Sequence, residues 1–131
     1  MRPNKKFQIN SKNGIYLGDL CYALDDKVYH GEWGDKYGFE DGAYKDDETG
    51  LEFAVVGTAY GDGCYLGSDG NDYPVDAGII GICDINLATK DEAKRLGTFL
   101  PHWKGIVTIE FNNGNVIAQH GSERIAIKTG D

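Results

Sequence analysis

The chain has 131 residues, of which 40% are apolar, and its formal net charge is −8. This length is typical of one domain, here residues 1–131, and the apolar fraction argues against a disordered chain. No apolar run approaches the roughly 18 residues of a membrane span, and the basic first residues lack the apolar core of a secretory signal. Three cysteines without close spacing are typical of free thiols, so we expect a cytoplasmic protein with no membrane contact.

The charge is unevenly distributed along the chain. Residues 1–12 carry four basic residues and no acidic one, whereas residues 25–52 carry ten acidic residues and three lysines, a net charge of −7. The acidic segment would repel a phosphate backbone, which argues against nucleic acid as a partner. It is either a solvated face that keeps the protein soluble, or a surface that docks on a basic partner or mimics nucleic acid.

The first half of the chain predicts short strands and one helix. Nineteen glycines and only three prolines indicate many tight turns. Phe7 and Ile9 alternate with polar residues, and residues 11–14 (SKNG) lead into an apolar segment at 15–17, a pattern that predicts a hairpin. Apolar residues then recur at helical spacing over residues 25–33, with Asp25 placed to cap the helix and Gly34 to end it.

The second half continues the strand pattern. Strands are predicted near 42–45, 51–58 and 64–66, and a hairpin is predicted between residues 62 and 76. Residues 77–84 are apolar on both faces, as in a central buried strand. Residues 89–92 (TKDE) form a capping-box pattern before a second short helix that ends at Gly97. Asn113-Gly114 separates strands at 106–111 and 116–119, which predicts a hairpin, and a last strand follows at 125–128.

These elements predict the fold class. We expect a mainly β fold (β-rich α+β), an antiparallel sandwich or partly open barrel of seven to nine short strands with two short helices.

Three glycine-rich segments resemble a known group of proteins. They are residues 18–22 (GDLCY), 61–65 (GDGCY) and 76–78 (DAG). Together they resemble small proteins of unknown function from bacterial and phage genomes, which carry a GD-x-CY segment near the start and a GDG-x-Y…DAG segment in the middle. The resemblance implies a compact β domain and a role as a phage or bacterial accessory protein, and it implies no activity.

The same segments supply a candidate ligand pocket. Tyrosine offers stacking area and a hydroxyl group, and aspartate can act as a metal ligand or an acid/base group. The alternative is that the aspartates shape Asp-Gly turns and the tyrosines are half-buried strand positions. The candidate pocket residues are Asp19, Tyr22, Tyr60, Asp62, Tyr73 and Asp76.

We assign no catalytic residue, metal ligand or cofactor from the sequence. A weak Ca²⁺ loop at Asp69, Asn71 and Asp72 is one interpretation of that segment, and a hydrated turn is the other. None of the cysteines lies in a nucleophile signature, and there is no CxxC or HxxxH spacing for zinc.

Aromatic residues within the acidic segment are candidate partner contacts. They are Trp33, Tyr37 and Phe39, and Trp103 in a predicted loop is a further candidate that could instead lie in the core. The favoured function is a non-enzymatic binding protein for a protein partner or a small ligand. The alternative is a small hydrolase or metal-dependent enzyme that uses Asp19, Asp62 and Asp76. The oligomeric state is left open.

Overall fold

A computed structural model describes residues 3–130, and these contain eleven strands in antiparallel sheets. The mainly β class is therefore confirmed, although residues 3–130 form eleven strands where seven to nine were predicted. No helix of this part of the chain is both long and apolar enough to cross a membrane. The strands are β1 (Lys5–Ser11), β2 (Ile15–Gly18), β3 (Gly42–Lys45), β4 (Glu52–Gly57), β5 (Gly63–Leu66), β6 (Asp72–Val75), β7 (Ile79–Asp84), β8 (Gly97–Leu100), β9 (Gly105–Asn112), β10 (Asn115–His120) and β11 (Glu123–Ile127).

Two sheets pack face to face as a sandwich. The four-stranded sheet has the order β1-β9-β10-β11, and the five-stranded sheet has the order β3-β4-β7-β2-β8. Alternate residues of the facing strands form one buried cluster, which includes Ile109 and Phe111 from the first sheet and Leu17 and Ile82 from the second. This cluster is the main core because it removes apolar side chains of both sheets from water.

The five-stranded sheet is covered on its other face as well. Helical and turn segments pack there around Phe53, Val55 and Cys83, and they contribute Leu24 and Trp33 to a second buried cluster. All six residues of β7 are buried between β4 and β2, which confirms the predicted central strand.

The first predicted helix is a π-helix, Lys27–Lys36. The Asp25 carboxylate accepts a hydrogen bond from the Val28 N–H at 3.1 Å, so the predicted cap is present. The prediction that Gly34 ends the helix is wrong, because the helix continues for two further residues. Val28 and Trp33, both buried, lie five residues apart, and this spacing suits i→i+5 bonding better than the 3.6-residue period.

The second helix, α1 (Ala93–Leu96), is a single turn. Gly97 follows in extended backbone and begins β8 directly. This strand, which the sequence did not predict, pairs with β2 at the edge of the sheet.

Of the three predicted hairpins, two are confirmed. β5 and β6 pair antiparallel as a two-stranded sheet. β9 and β10 pair antiparallel, and Asn113 (φ 50°) and Gly114 (φ 90°) form the tight turn between them. The hairpin predicted for β1 and β2 is wrong, because β1 pairs with β9 whereas β2 pairs with β7 and β8.

The segment between β1 and β2 is instead a corner between the two sheets. The Asp84 carboxylate accepts hydrogen bonds from the N–H groups of Lys12 (3.0 Å) and Asn13 (3.2 Å), so a distant strand holds the turn. Gly14 has φ 95°, and a Cβ there would lie 2.5 Å from the Cα of Pro101. The glycine therefore allows the close approach that redirects the chain into the second sheet.

Candidate functional site

The buried carboxylate of Asp19 organises one corner of the molecule. Its Oδ1 accepts the Cys21 N–H at 2.9 Å, and its Oδ2 accepts the N–H groups of Asp76 and Ala77, both at 2.8 Å. Asp19 is 0% exposed. The glycine-rich segments 18–22 and 76–78 are therefore joined by one side chain that binds three backbone donors, as a structural carboxylate does.

Other candidate pocket residues lie at this Asp19 corner, defined as residues 18–22, 61–62 and 76–78. A Cβ placed on Gly78 would lie 3.7 Å from Asp62 Oδ1, so these two segments are neighbours. Burial raises the pKa of Tyr22 to about 12, and the charges of Asp19, Asp76 and Asp62 contribute to the shift. The structure thus brings Asp19, Tyr22, Asp62 and Asp76 together, with the side chains of Asp62 and Asp76 exposed.

The two remaining pocket candidates have different surroundings. Tyr60 immediately precedes the 61–62 segment of the corner, and it is 66% exposed. Tyr73 is buried in the main core, and its hydroxyl donates to Asp69 Oδ2 at 2.6 Å and also contacts Thr98 Oγ1 at 2.9 Å. Tyr73 therefore stabilises the β5–β6 hairpin against β8 and does not line the corner.

The proposed Ca²⁺ loop has the geometry of a turn. Asp69 accepts hydrogen bonds from the backbone and side chain of Asn71, in addition to the bond from Tyr73. Within residues 3–130, no group of three or more histidine, cysteine or acidic side chains is placed to hold a metal ion. The carboxylate oxygen atoms of Asp69 thus accept hydrogen bonds that stabilise the turn.

A small cavity that the sequence did not reveal lies beside the Asp19 corner. It has a volume of about 200 Å³ and is lined by Cys21, Leu24, Asp26, Tyr29, His30 and Lys90. Burial and the neighbouring Asp19 raise the pKa of the Cys21 thiol well above its usual range. The thiol is therefore protonated at neutral pH, a state that disfavours nucleophilic attack.

Trp33 anchors an aromatic cluster on the π-helix. It is 2% exposed, and its indole N–H donates to the Glu40 carbonyl at 2.8 Å. Its ring is edge-on to Tyr29 at 5.2 Å and to Phe39 at 5.0 Å between centroids. Trp33 is thus a support for its neighbours rather than a surface contact.

Phe39 is the exposed member of this cluster. Its side chain is 48% exposed, and its backbone has φ 57°, a conformation that is rare for a bulky residue. Its N–H donates to the Trp33 carbonyl at 3.1 Å. The ring lies against Gly34, where a Cβ would be 2.5 Å from Phe39 Cζ, so the glycine makes room for it.

Tyr37 and Tyr44 extend the aromatic surface onto β3. Their rings stack at 4.4 Å between centroids with an interplanar angle of 28°. The Tyr44 hydroxyl donates to the Glu40 carbonyl at 2.7 Å, and Lys36 Nζ lies 5.6 Å from the centre of the Tyr37 ring. These rings are held in place and already contact a cation.

The surrounding carboxylates are partly paired. Lys27 pairs with Glu48, Lys36 with Asp47, and Lys5 with Asp41 at 3.4 Å. Asp35 and Glu40 are exposed and lie within two residues of Tyr37 or Phe39 in the sequence. We refer to Phe39, Tyr37 and Tyr44 with the exposed acidic residues of segment 25–52 as the acidic–aromatic face.

Trp103 lies far from this face in the main core. It is 1% exposed, its indole N–H donates to Glu123 Oε2, and its ring stacks on His120 at 5.6 Å. Of the four aromatic partner candidates, the structure therefore leaves Phe39 and Tyr37 accessible and buries Trp33 and Trp103.

Comparisons of this chain with protein-family models, with curated proteins and with solved structures give no match.

Proposed function

We propose that this protein is a non-enzymatic binding protein that recognises a basic protein partner through its acidic–aromatic face. The observation that carries the proposal is Phe39, a half-exposed ring on a backbone of φ 57°. A non-glycine residue in this conformation costs roughly 1–2 kcal/mol. Such strain clusters at binding and switch regions, and an exposed aromatic ring is a typical anchor of an interface.

The π-helix that supports Phe39 favours the same region. π-Helical segments are rare, and they are frequent at functional sites. This one spans ten residues and places Trp33 beneath the Phe39 ring. The strained backbone of Phe39, the π-helix and the acidic residues therefore lie in one segment of the chain, residues 25–52.

The charge of the face indicates the partner. Residues 25–52 have a net charge of −7, which accelerates association with a basic protein and repels nucleic acid. The three cysteines are unpaired, which supports a reducing, cytoplasmic setting. In that setting the protein would act as an accessory factor of a bacterium or phage.

The alternative of a hydrolase or metal-dependent enzyme has less support from the geometry. It needs Asp19, Asp62 and Asp76 as free acid/base groups or ligands. Asp19 is buried and already accepts three backbone N–H groups, so its carboxylate is committed to structure.

A substitution of Phe39 tests the proposal. Phe39→Gly removes the ring and suits the positive φ, so we expect the fold to remain stable while partner capture falls at least tenfold. The double charge reversal Asp35→Lys/Glu40→Lys should have the same effect on capture. The measurement is quantitative pull-down from a lysate of the host, with captured proteins identified by mass spectrometry.

The matched control is Ile106→Thr, which changes a 52% exposed apolar residue on the four-stranded sheet. It should retain both capture and stability. If the partners of the wild-type protein are captured equally by Phe39→Gly and by the charge reversal, the acidic–aromatic face is not the binding surface.

A further inference from the structure

Strand β3 has an unpaired edge beside the acidic–aromatic face. It is the terminal strand of the five-stranded sheet, and within residues 3–130 only β4 pairs with it. The Asp46 N–H donates to the Leu51 carbonyl at 2.8 Å, towards β4. Because backbone groups alternate along a strand, Gly42 and Tyr44 also face β4, and the backbone N–H and C=O groups of Ala43 and Lys45 face outwards.

A shallow groove of about 410 Å³ follows this edge. It is lined by Tyr37, Ala43, Tyr44, Lys45 and Glu52. Ala43 and Lys45, the residues whose backbone faces outwards, both have exposed side chains. The groove therefore combines accessible backbone hydrogen-bonding groups with the stacked tyrosine pair.

The aromatic wall of the groove suits a cationic side chain. Lys36 already lies over the Tyr37 ring at 5.6 Å, which is within the range of a cation–π contact. The Tyr44 hydroxyl is bound to the Glu40 carbonyl, which fixes the second ring. A guanidinium or ammonium group from a partner would find rigid rings and neighbouring carboxylates.

Charge also argues against a second copy of this chain as the occupant. Pairing two β3 edges would bring together two segments that each carry a net charge of −7. Like charges in close contact destabilise an interface, whereas a basic segment would be attracted. The complementary occupant is therefore cationic.

We infer that the partner adds an extended segment rich in arginine or lysine to β3 as a further strand of the five-stranded sheet. This inference rests on the proposed function and specifies how the partner is held. The backbone of Ala43 and Lys45 pairs with the added strand, and one of its basic side chains lies on Tyr37 and Tyr44. Strand addition of this kind draws affinity from main-chain bonds and specificity from side-chain contacts.

The test uses the acetylated and amidated peptide (Arg-Val)₃ as a probe, titrated by calorimetry against the 131-residue protein. A second peptide of the same sequence is N-methylated at every backbone nitrogen, which keeps the charge but removes the N–H groups from both edges of the peptide strand. We expect the N-methylated peptide to bind the wild-type protein at least tenfold more weakly. This comparison requires no variant of the protein.

Substitutions of the edge provide the second arm. Ala43→Pro removes an outward N–H and blocks strand addition, and proline is tolerated at such edge positions. We expect at least a tenfold loss of peptide affinity, whereas the control Ala43→Ser retains the N–H and binds like the wild type. Lys45→Glu should strengthen binding because it removes a like charge from the groove.

The outcomes separate the inference from the proposed function. Equal binding of both peptides, or unchanged binding by a folded Ala43→Pro variant, overturns strand addition. The proposed function would then still be decided by Phe39→Gly and the charge reversal. Self-association in sedimentation experiments that Ala43→Pro abolishes would identify a second copy as the occupant and also overturn the inference.

Discussion

The Asp19 carboxylate and the carboxylates of the acidic–aromatic face have opposite surroundings. Asp19 is 0% exposed and is surrounded by backbone N–H groups from two segments of the chain. Asp35 and Glu40 are exposed, in the same segment as Tyr37 and Phe39. The first carboxylate holds the fold together, whereas the others create a surface potential.

This difference shows that neighbouring donors, rather than residue type, decide the role of an acidic side chain. A buried carboxylate is tolerated only where hydrogen bonds from the protein replace those from water. The Asp19 carboxylate accepts three such hydrogen bonds. An exposed carboxylate keeps its hydration and contributes little to stability. The two regions should therefore respond differently to substitution.

The largest expected effect is at Asp19. Asp19→Ala would leave the N–H groups of Cys21, Asp76 and Ala77 without their charged acceptor, so we expect a loss of about 4 kcal/mol in the free energy of unfolding. Urea denaturation followed by circular dichroism measures it. The control Asp62→Ala alters an exposed carboxylate of the same corner and should cost less than about 0.5 kcal/mol. Equal effects of the two substitutions would contradict the structural role of Asp19.

A smaller effect is expected from alkaline pH at Tyr29, which links the two regions. Burial raises the pKa of Tyr29 to about 12 in the folded protein, and the negative charges of Asp19 and Asp76 add to the shift. Because the pKa of Tyr29 is higher in the folded protein than its unfolded-state value of about 10, the neutral side chain contributes its full stabilisation below about pH 10. This contribution is lost as the pH rises towards 12.

Urea denaturation between pH 9 and pH 12 tests this linkage. Tyr29→Phe cannot ionise at this position, so the stability of the variant should fall less steeply over this range than that of the wild type. Identical slopes for the two proteins would show that Tyr29 ionises as readily in the folded state as in the unfolded one.

The smallest effect on stability is expected at the acidic–aromatic face. Asp35→Lys/Glu40→Lys changes exposed residues and relieves like-charge repulsion, so the free energy of unfolding should change by no more than about 0.5 kcal/mol. The same variant is expected to lose partner capture. A large loss of stability here would mean that these carboxylates serve the fold, as Asp19 does.

Local sequence patterns predicted several elements correctly. The Asn113-Gly114 turn requires positive φ at both residues, and it selects the β9–β10 hairpin without help from the rest of the chain. The apolar run that became β7 identified a strand buried on both faces. These predictions succeeded because the decisive interactions lie within a few residues of each other.

Other predictions failed where distant contacts decided the outcome. The segment between β1 and β2 has the composition of a hairpin turn, but Asp84, more than 70 residues away, holds it as a corner between sheets. β8 is a strand because β2 offers it an edge to pair with. The secondary-structure propensity of a short segment contains no information about either of these distant contacts.

The sequence by itself determined the mainly β architecture, the position of the central strand and the separation of acidic from basic segments. These properties follow from periodicity, turn chemistry and charge counts, which are local. Tertiary structure alone decided that Asp19 is bound to backbone donors 57 and 58 residues away, that Trp33 is buried, and that Phe39 remains exposed. Burial and hydrogen bonding depend on which segments meet, and that is fixed only when the sheets pack together.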